Sequence, residues 1–363
     1  PEGLMYIDKK AFYRNNLSEV TIPSTVILID EDAFDVMGTG NNIMQASFMG
    51  SAASRGTSLK IIDAANFKSA TTIYLDRNIS SESSDGLFAS AMMVTTGPDV
   101  SQLNAKPFGS STIVSLTMQS IPEVSSGALS QVNGSTRLDL SDESYIHTGT
   151  NGNLPLFFSQ QYTRRMTNQW GTVVLPFSVM SDADVQYYTL DAIKYDESSN
   201  QYLSLVKMTE VPANTPCFFR RLTNGDEVTM VSETAQMVSD MEESVTTSTN
   251  AEDCIMKGIY STRTLDPADY SDKDVYYIAN NMFWYAEKPF NVSTFRAVLC
   301  RNRSMVPPSA ISIRVQGDDV TEVGTVDVDE LMGSEPVYDL QGRRVINPEP
   351  GIYIVGGKKV MIQ

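Results

Sequence analysis

The frame I-D-x-x-A-F is written twice near the start of the chain, in YIDKKAF (Tyr6 to Phe12) and LIDEDAF (Leu28 to Phe34), with the two phenylalanines 22 residues apart. It recurs in weaker form as IDAANF (Ile62 to Phe67), LNAKPF (Leu103 to Phe108) and VSSGAL (Val124 to Leu129). Phe88, in DGLF, adds a copy without the aliphatic partner. The anchors Phe12, Phe34, Phe67, Phe88, Phe108 and Leu129 step by 22, 33, 21, 20 and 21 residues. The one long step reads as an insertion of about eleven residues, supplied by the Gly/Asn/Ser-rich segment Met37 to Gly56.

Between anchors runs a second periodic feature, a short strand in the pattern L-x-x-V-x-I: LSEVTI (Leu17 to Ile22), ATTIYL (Ala70 to Leu75), IVSLTM (Ile113 to Met118) and STRLDL (Ser135 to Leu140). Its inward residues Ile73, Val94, Leu116 and Leu138 step by 21, 22 and 22, so two features share one period. A period of 20–29 residues with one strand per unit is the signature of a leucine-rich-repeat type solenoid. A single unit has nothing to bury its apolar column against until the next coil stacks on it. The anchor phenylalanines are therefore expected to stack in a ladder along the inside of the coil.

These residues resemble the BspA-like leucine-rich repeats of surface proteins from Bacteroidetes and other host-associated microbes. The likeness is closest in AFYRNNLSEVTIPSTVILIDEDAF (Ala11 to Phe34), with its strand, its Ile22–Pro23 pair and its terminal A-F, and it covers about 140 residues. It implies a secreted or surface-displayed, non-enzymatic adhesion protein that engages host or neighbouring-cell proteins.

After YIHTGTNGNLP (Tyr145 to Pro155) the period stops and alternating strands begin, among them WGTVVLPFSV, QYLSLVKM, DEVTMVSE, DVYYIANNMFWYA and AISIRV. Asp/Asn/Gly turns divide them, and LTNGDEV (Leu222 to Val228) carries a hairpin signal at Asn224 and Gly225. An antiparallel β-sandwich is the economical architecture. The series YTRRMTNQWGTVVLPF (Tyr162 to Phe177), VPANTPCFF (Val211 to Phe219), VYYIANNMFWYAEKP (Val275 to Pro289) and STFRAVL (Ser293 to Leu299) is similar to a β module that follows repeats or other domains in many secreted Bacteroidetes proteins. VYDLQGRRVINPEPGIYIVGGKKVMIQ (Val337 to Gln363) reads as three strands and resembles a C-terminal segment of exported Bacteroidetes proteins, which implies secretion. The expected organisation is mainly β: a solenoid over 1–152, a sandwich over 153–320, and an acidic linker with a small β segment over 321–363.

Composition narrows the function. Hydrophobic residues at 41% with 16 Tyr and 14 Phe support ordered cores, and a net charge of −17 argues against nucleic-acid or anionic-membrane partners. The longest apolar stretches, such as TVVLPFSVM (Thr172 to Met180), are about half the length needed to span a bilayer. The opening PEGLMYIDKK, with neither initiator Met nor signal peptide, points to a processed N-terminus and to coils lost upstream.

Cys217, Cys254 and Cys300 are too scattered for a metal or redox motif, and the single histidine, His147, excludes a multi-histidine centre, so neither metal nor cofactor is expected. No phosphate loop, nucleophile elbow or zinc-protease motif is present. SDESYIH (Ser141 to His147) holds triad residue types locally, but a solvated or capping histidine explains it more simply. The acid pairs Asp182/Asp184 and Asp318/Asp319 read as solvated turns, and the loop DPADYSDKD (Asp266 to Asp274) fits no calcium frame.

Two features can bind. Residues that alternate outward on the repeat strands form one column of Glu19, Thr72, Ser115 and Arg137 and another of Thr21, Tyr74, Thr95, Thr117 and Asp139, the kind of aligned face with which solenoids grip extended partners. They read equally well as soluble strand surface. In the second region, alternation through Phe283 to Tyr285 sets Trp284 apart from its neighbours. Trp284 offers a stacking surface for a sugar, the basis of an alternative role as the carbohydrate-binding component of a surface glycan system, although a core strand explains it better.

Overall fold

A computed structural model describes residues 3–34, 41–109, 111–232, 237–238, 240–251 and 253–316, together with five short strands between 324 and 362. Nearly everything regular is strand. Helical turns among the described residues are the three-residue 3-10 segments Ala52–Ser54, Ala64–Asn66 and Pro267–Asp269.

The N-terminal part is a β-solenoid. Strands Glu19–Ile22, Gln45–Phe48, Thr72–Leu75, Met93–Thr96, Ile113–Met118, Val132–Ser141 and Ser159–Arg165 pair in parallel, each with the next in the chain. Sequential parallel neighbours require the chain to return to the same edge once per turn, which is the geometry of a coil. On the opposite side a narrower ladder joins Tyr6–Ile7, Leu28–Ile29 and Lys60–Ile61, and another joins Gln102–Leu103 to Glu123–Val124, again all parallel.

Between these walls the aromatic ladder forms. Phe12 stacks on Phe34 at 5.0 Å and 5°, Phe34 lies 5.4 Å from Phe67, and Phe88 lies 5.6 Å from Phe108. Leu129 joins the same core. A sixth ring, Phe48, sits 5.1 Å from Phe67 and 5.3 Å from Phe88. It belongs to Gln45–Phe48, a full solenoid strand inside the segment that the spacing marks as an insertion. The long step is therefore a longer coil with a strand of its own.

Two further registers differ from the spacing. Ile29 pairs with Ile61, which is buried, while Ile62 is exposed, so the aliphatic partner of Phe67 lies one residue earlier than the frame places it. In the coil of Phe88, buried Ser83 takes the aliphatic position, and its hydroxyl accepts from Ile61 N at 3.0 Å. Buried amides close other gaps: Asn66 accepts from Phe34 N (2.8 Å) and donates to Asp30 O (3.0 Å). Each satisfies backbone groups that a turn would otherwise leave unpaired inside the core.

The solenoid sheet does not stop at residue 152. Ser159–Arg165 continues it in parallel, and Glu227–Ser232 then ends it antiparallel. Glu227 follows the Asn224–Gly225 pair, yet the strand before that pair, Cys217–Arg221, joins Trp170–Val173 and Val185–Tyr195 instead. The expected hairpin is a crossover between two sheets: the strand before the turn pairs within the second sheet and the strand after it pairs with Ser159–Arg165, while Phe219 and Val228 still meet in one core.

The second sheet has ten strands, in the order Trp170–Val173, Cys217–Arg221, Val185–Tyr195, Gln201–Met208, Ala310–Val315, Met282–Tyr285, Lys273–Ala279, Arg296–Asn302, Cys254–Ile259 and Ser244–Ser248. All pairings are antiparallel except Gln201–Met208 with Ala310–Val315. A tight turn at Asn280–Asn281, with φ of 50° and 60°, joins one hairpin, the left-handed pair that such turns need. The sheet curls on itself. Thr172 Oγ1 donates to Ala297 O (2.6 Å) and accepts from Ala297 N (3.0 Å), while Phe218 meets Phe283 across the interior at 5.4 Å.

Strands Gly324–Val326, Val337–Tyr338, Arg344–Val345, Gly351–Val355 and Lys358–Ile362 form a separate five-stranded sheet. The turn glycines Gly342, Gly356 and Gly357 lie outside the described residues.

Candidate functional site

The register of the parallel sheet settles which outward residues stand in line. One row runs Glu19, Gln45, Thr72, Met93, Ser115 and Ser135. The next runs Thr21, Ser47, Tyr74, Thr95, Thr117, Arg137 and Ser159. With strands about 4.8 Å apart, seven rungs make a strip of roughly 29 Å. Glu19, Thr21, Gln45, Met93, Ser135 and Arg137 are exposed and the others half-buried, so both rows reach solvent along their length.

The structure thus brings Glu19, Thr72 and Ser115 into one row and Thr21, Tyr74, Thr95 and Thr117 into the other, as the alternation predicts, and inserts Gln45, Ser47 and Met93 between them. Arg137 and Asp139 fall elsewhere. Arg137 stands opposite Thr117, in the second row, and Asp139 pairs with Gln161 one row further on. The cause is a shorter coil: by register Ser115 faces Ser135, a step of 20 residues rather than 22, so Leu138 faces Met118 and not Leu116, and a one-residue irregularity lies between Val132 and Ser135. Gly134 sits in it so tightly that an added Cβ would lie 1.9 Å from Val114 O, a contact only glycine avoids. Arg137 and Asp139 are joined by a short ion pair on the strip.

Charge and polarity along the strip are mixed. Burial first, then the charges of Asp76 and Asp99, push the Tyr74 phenol up to about 12, so at neutral pH it is an uncharged hydroxyl. At the entry rim of the sheet, Met44, Met92 and Val114 are 43%, 48% and 42% exposed, and Met93 in the first row is 50% exposed. They are linked through the ladder Thr71 N to Met44 O, Met92 N to Thr71 O and Val114 N to Met92 O, each 2.9 Å. This apolar rim went unread in the sequence. The available signal was a methionine directly before the strand in two coils, Met44 and Met92.

Trp284 lies in the ladder between Tyr277 and Ala310, half-buried, with its indole Nε1 donating to Ala279 O at 3.0 Å. The His147 imidazole makes no hydrogen bond to a serine or acid among the described residues. Asp182 Oδ1 accepts from Asp184 N and Val185 N, both at 2.8 Å, which is a turn-capping role, and Asp318 and Asp319 lie outside the described residues. Among the described residues no cluster of three or more His, Cys, Asp or Glu is placed to hold a metal, and no helix is long and apolar enough to cross a membrane.

The solenoid and the curled sheet share one core. Tyr162 of the last parallel strand packs 4.8 Å from Phe295, and Tyr260 meets the same ring at 6.1 Å. Arg296 clamps the junction by donating Nη1 to Asp142 Oδ1 (2.9 Å) and Nη2 to Asp142 Oδ2 (2.6 Å), while the Tyr162 hydroxyl also donates to Asp142. Beside the clamp a cavity of about 510 Å³ is lined by Arg55, Asp99, Glu143, Tyr145 and Thr262, in which Arg55 pairs with Asp99 at 2.6 Å. A second, of about 530 Å³, flanks Gly134 and ends at Leu156 and Phe158, which are 74% and 69% exposed.

Compared with protein-family models, curated proteins and solved structures, the chain matches none.

Proposed function

We propose that this protein is a secreted or cell-surface, non-enzymatic binding protein whose solenoid face engages an extracellular or cell-surface protein. In this reading the coils are BspA-like leucine-rich repeats, the curled sheet is a β-sandwich module that acts as spacer and cap, and the C-terminal segment belongs to export or display. The observation that carries it is the strip itself: two aligned rows of mostly polar side chains, edged by exposed methionines, on a parallel sheet. Hydroxyl and amide groups at a fixed repeat suit the backbone of an extended segment. The methionines add polarizable, adaptable contact area.

A carbohydrate role through Trp284 has less support, because the ring is half-buried and its N–H is already spent on Ala279 O.

The test is surface plasmon resonance of the chain against a panel of extracellular-matrix proteins, in parallel with a glycan array. At least one matrix protein is expected to bind, and the double variant T95R/T117R is expected to weaken it at least about tenfold while leaving the far-UV spectrum unchanged. Binding that ignores the double variant, or an array signal with no protein partner, contradicts the proposal.

A further inference from the structure

A smaller cavity, about 190 Å³, opens where the solenoid meets the curled sheet, with Arg164, Arg296, Tyr277, Phe290, Asn291 and Ser293 in its lining. Two guanidinium groups meet there in a chain whose net charge is −17. Arg296 is neutralised by Asp142 in the clamp described above. Arg164 forms no ion pair among the described residues, and the Asp142 carboxylate acts on it only through space. Its hydrogen bond from Nη1 goes to Thr172 O (3.0 Å), its guanidinium lies 5.3 Å from the centre of the Phe219 ring, and its Nε is buried without a partner. Burial first, and Arg296 second, push Arg164 down to about 10, which leaves it protonated at neutral pH. A desolvated cation beside a second cation is costly unless an anion joins them.

The remaining walls suit a sugar more than a bare ion. The rings of Tyr277 and Phe290 lie 5.0 Å apart at 35° and form an aromatic side. Asn291 and Ser293 are exposed at the mouth. Asn291 Oδ1 accepts from Thr264 Oγ1 at 2.8 Å, and its amide N–H groups remain unspent among the described residues. Sites for drug-sized ligands run to about 300–1,000 Å³, so this one has room for a single small ring. The acidity of the chain disfavours a polyanion but not one carboxylate placed against Arg164.

We infer that this cavity binds one carboxylated sugar residue, its carboxylate held by Arg164, its ring against Tyr277 and Phe290, and its hydroxyls met by Asn291 and Ser293. The inference is independent of the reading of the solenoid face.

Titration calorimetry on the full chain at pH 7 and low salt tests it, with methyl β-glucuronide as the probe and methyl β-glucoside and acetate as comparators. The glucuronide is expected to bind saturably, and the glucoside and acetate each at least about tenfold more weakly, since each lacks one half of the recognition. Arg164→Met is expected to weaken glucuronide binding by at least about tenfold with an unchanged far-UV spectrum. Should that variant not fold, Asn291→Ala, at an exposed position, is expected to weaken binding several-fold. The inference is overturned if the wild-type chain does not bind the glucuronide, or binds glucoside or acetate as tightly. Undiminished binding by both variants overturns it equally.

Discussion

Replacing Phe67 with alanine removes a central rung of the aromatic ladder. The ring is fully buried, with Phe48 at 5.1 Å, Phe34 at 5.4 Å and Phe88 at 6.4 Å from its centre. Truncating a buried phenylalanine costs about 3–5 kcal/mol, and three ring partners place this site near the upper end, at about 5 kcal/mol. Phe12 is the comparison: it is 39% exposed and meets a single ring, Phe34, so Phe12→Ala should cost only about 1–2 kcal/mol. Urea unfolding followed by far-UV circular dichroism gives the two costs. Amide hydrogen exchange in Thr72–Leu75 and Met93–Thr96 shows where the loss falls, because a solenoid passes strain mainly to its nearest coils. Equal costs for the two variants, or a Phe67→Ala cost below about 1 kcal/mol, would refute a continuous ladder as the source of solenoid stability.

Other outcomes follow from the same geometry. Asp142→Asn leaves Arg296 without its carboxylate at the junction and should cost about 2–3 kcal/mol in urea unfolding, with faster exchange in Ser159–Arg165 and Arg296–Asn302. Gly134→Ala drives a Cβ into Val114 O and should cost about 1–3 kcal/mol by the same assay, whereas Gly56→Ala, with open space around it, should cost almost nothing. Burial pushes the thiols of Cys254 and Cys300 up to about 11, and Tyr74 reaches about 12. Below the ordinary thiol and phenol range both folded and unfolded chains hold these protons. Above it the unfolded chain releases them first, so stability should fall as pH rises from about 8.5 through 12, measured as a declining urea midpoint. At pH 8 the three thiols should stay silent to a thiol reagent until the chain is unfolded.

What could be read from the sequence was whatever repeats in one residue type at one spacing. The phenylalanine anchors met both conditions, and so did the inward aliphatics of Thr72–Leu75 and Met93–Thr96. Gln45–Phe48 was hidden because its inward residues are Ala46 and Phe48 rather than branched aliphatics, and because its neighbours look like a loop. Arg137 leaves its expected column because Leu116 faces Thr136 and Leu138 faces Met118, and the sequence offers Leu138 as an equally apolar match to Leu116 two residues out of register. Asn224–Gly225 had the local chemistry of a hairpin, but turn residues say nothing about which sheet the next strand joins. Arg164 and Arg296 lie 132 residues apart. Their meeting is a product of tertiary folding, and no local pattern announces it.

Cross-linking the sheet through engineered cysteine pairs tests the stacked coil and its register most directly. Facing residues on adjacent parallel strands are about 4.8 Å apart, inside the 4.4–6.8 Å Cα separation a disulfide accepts, while a pair two residues out of register is about 8 Å apart. Under mild oxidation T95C/T117C and T117C/R137C should each close a disulfide, and T117C/D139C should not. Closure of T117C/D139C in place of T117C/R137C contradicts the register of the binding strip, and failure of all three contradicts the solenoid itself.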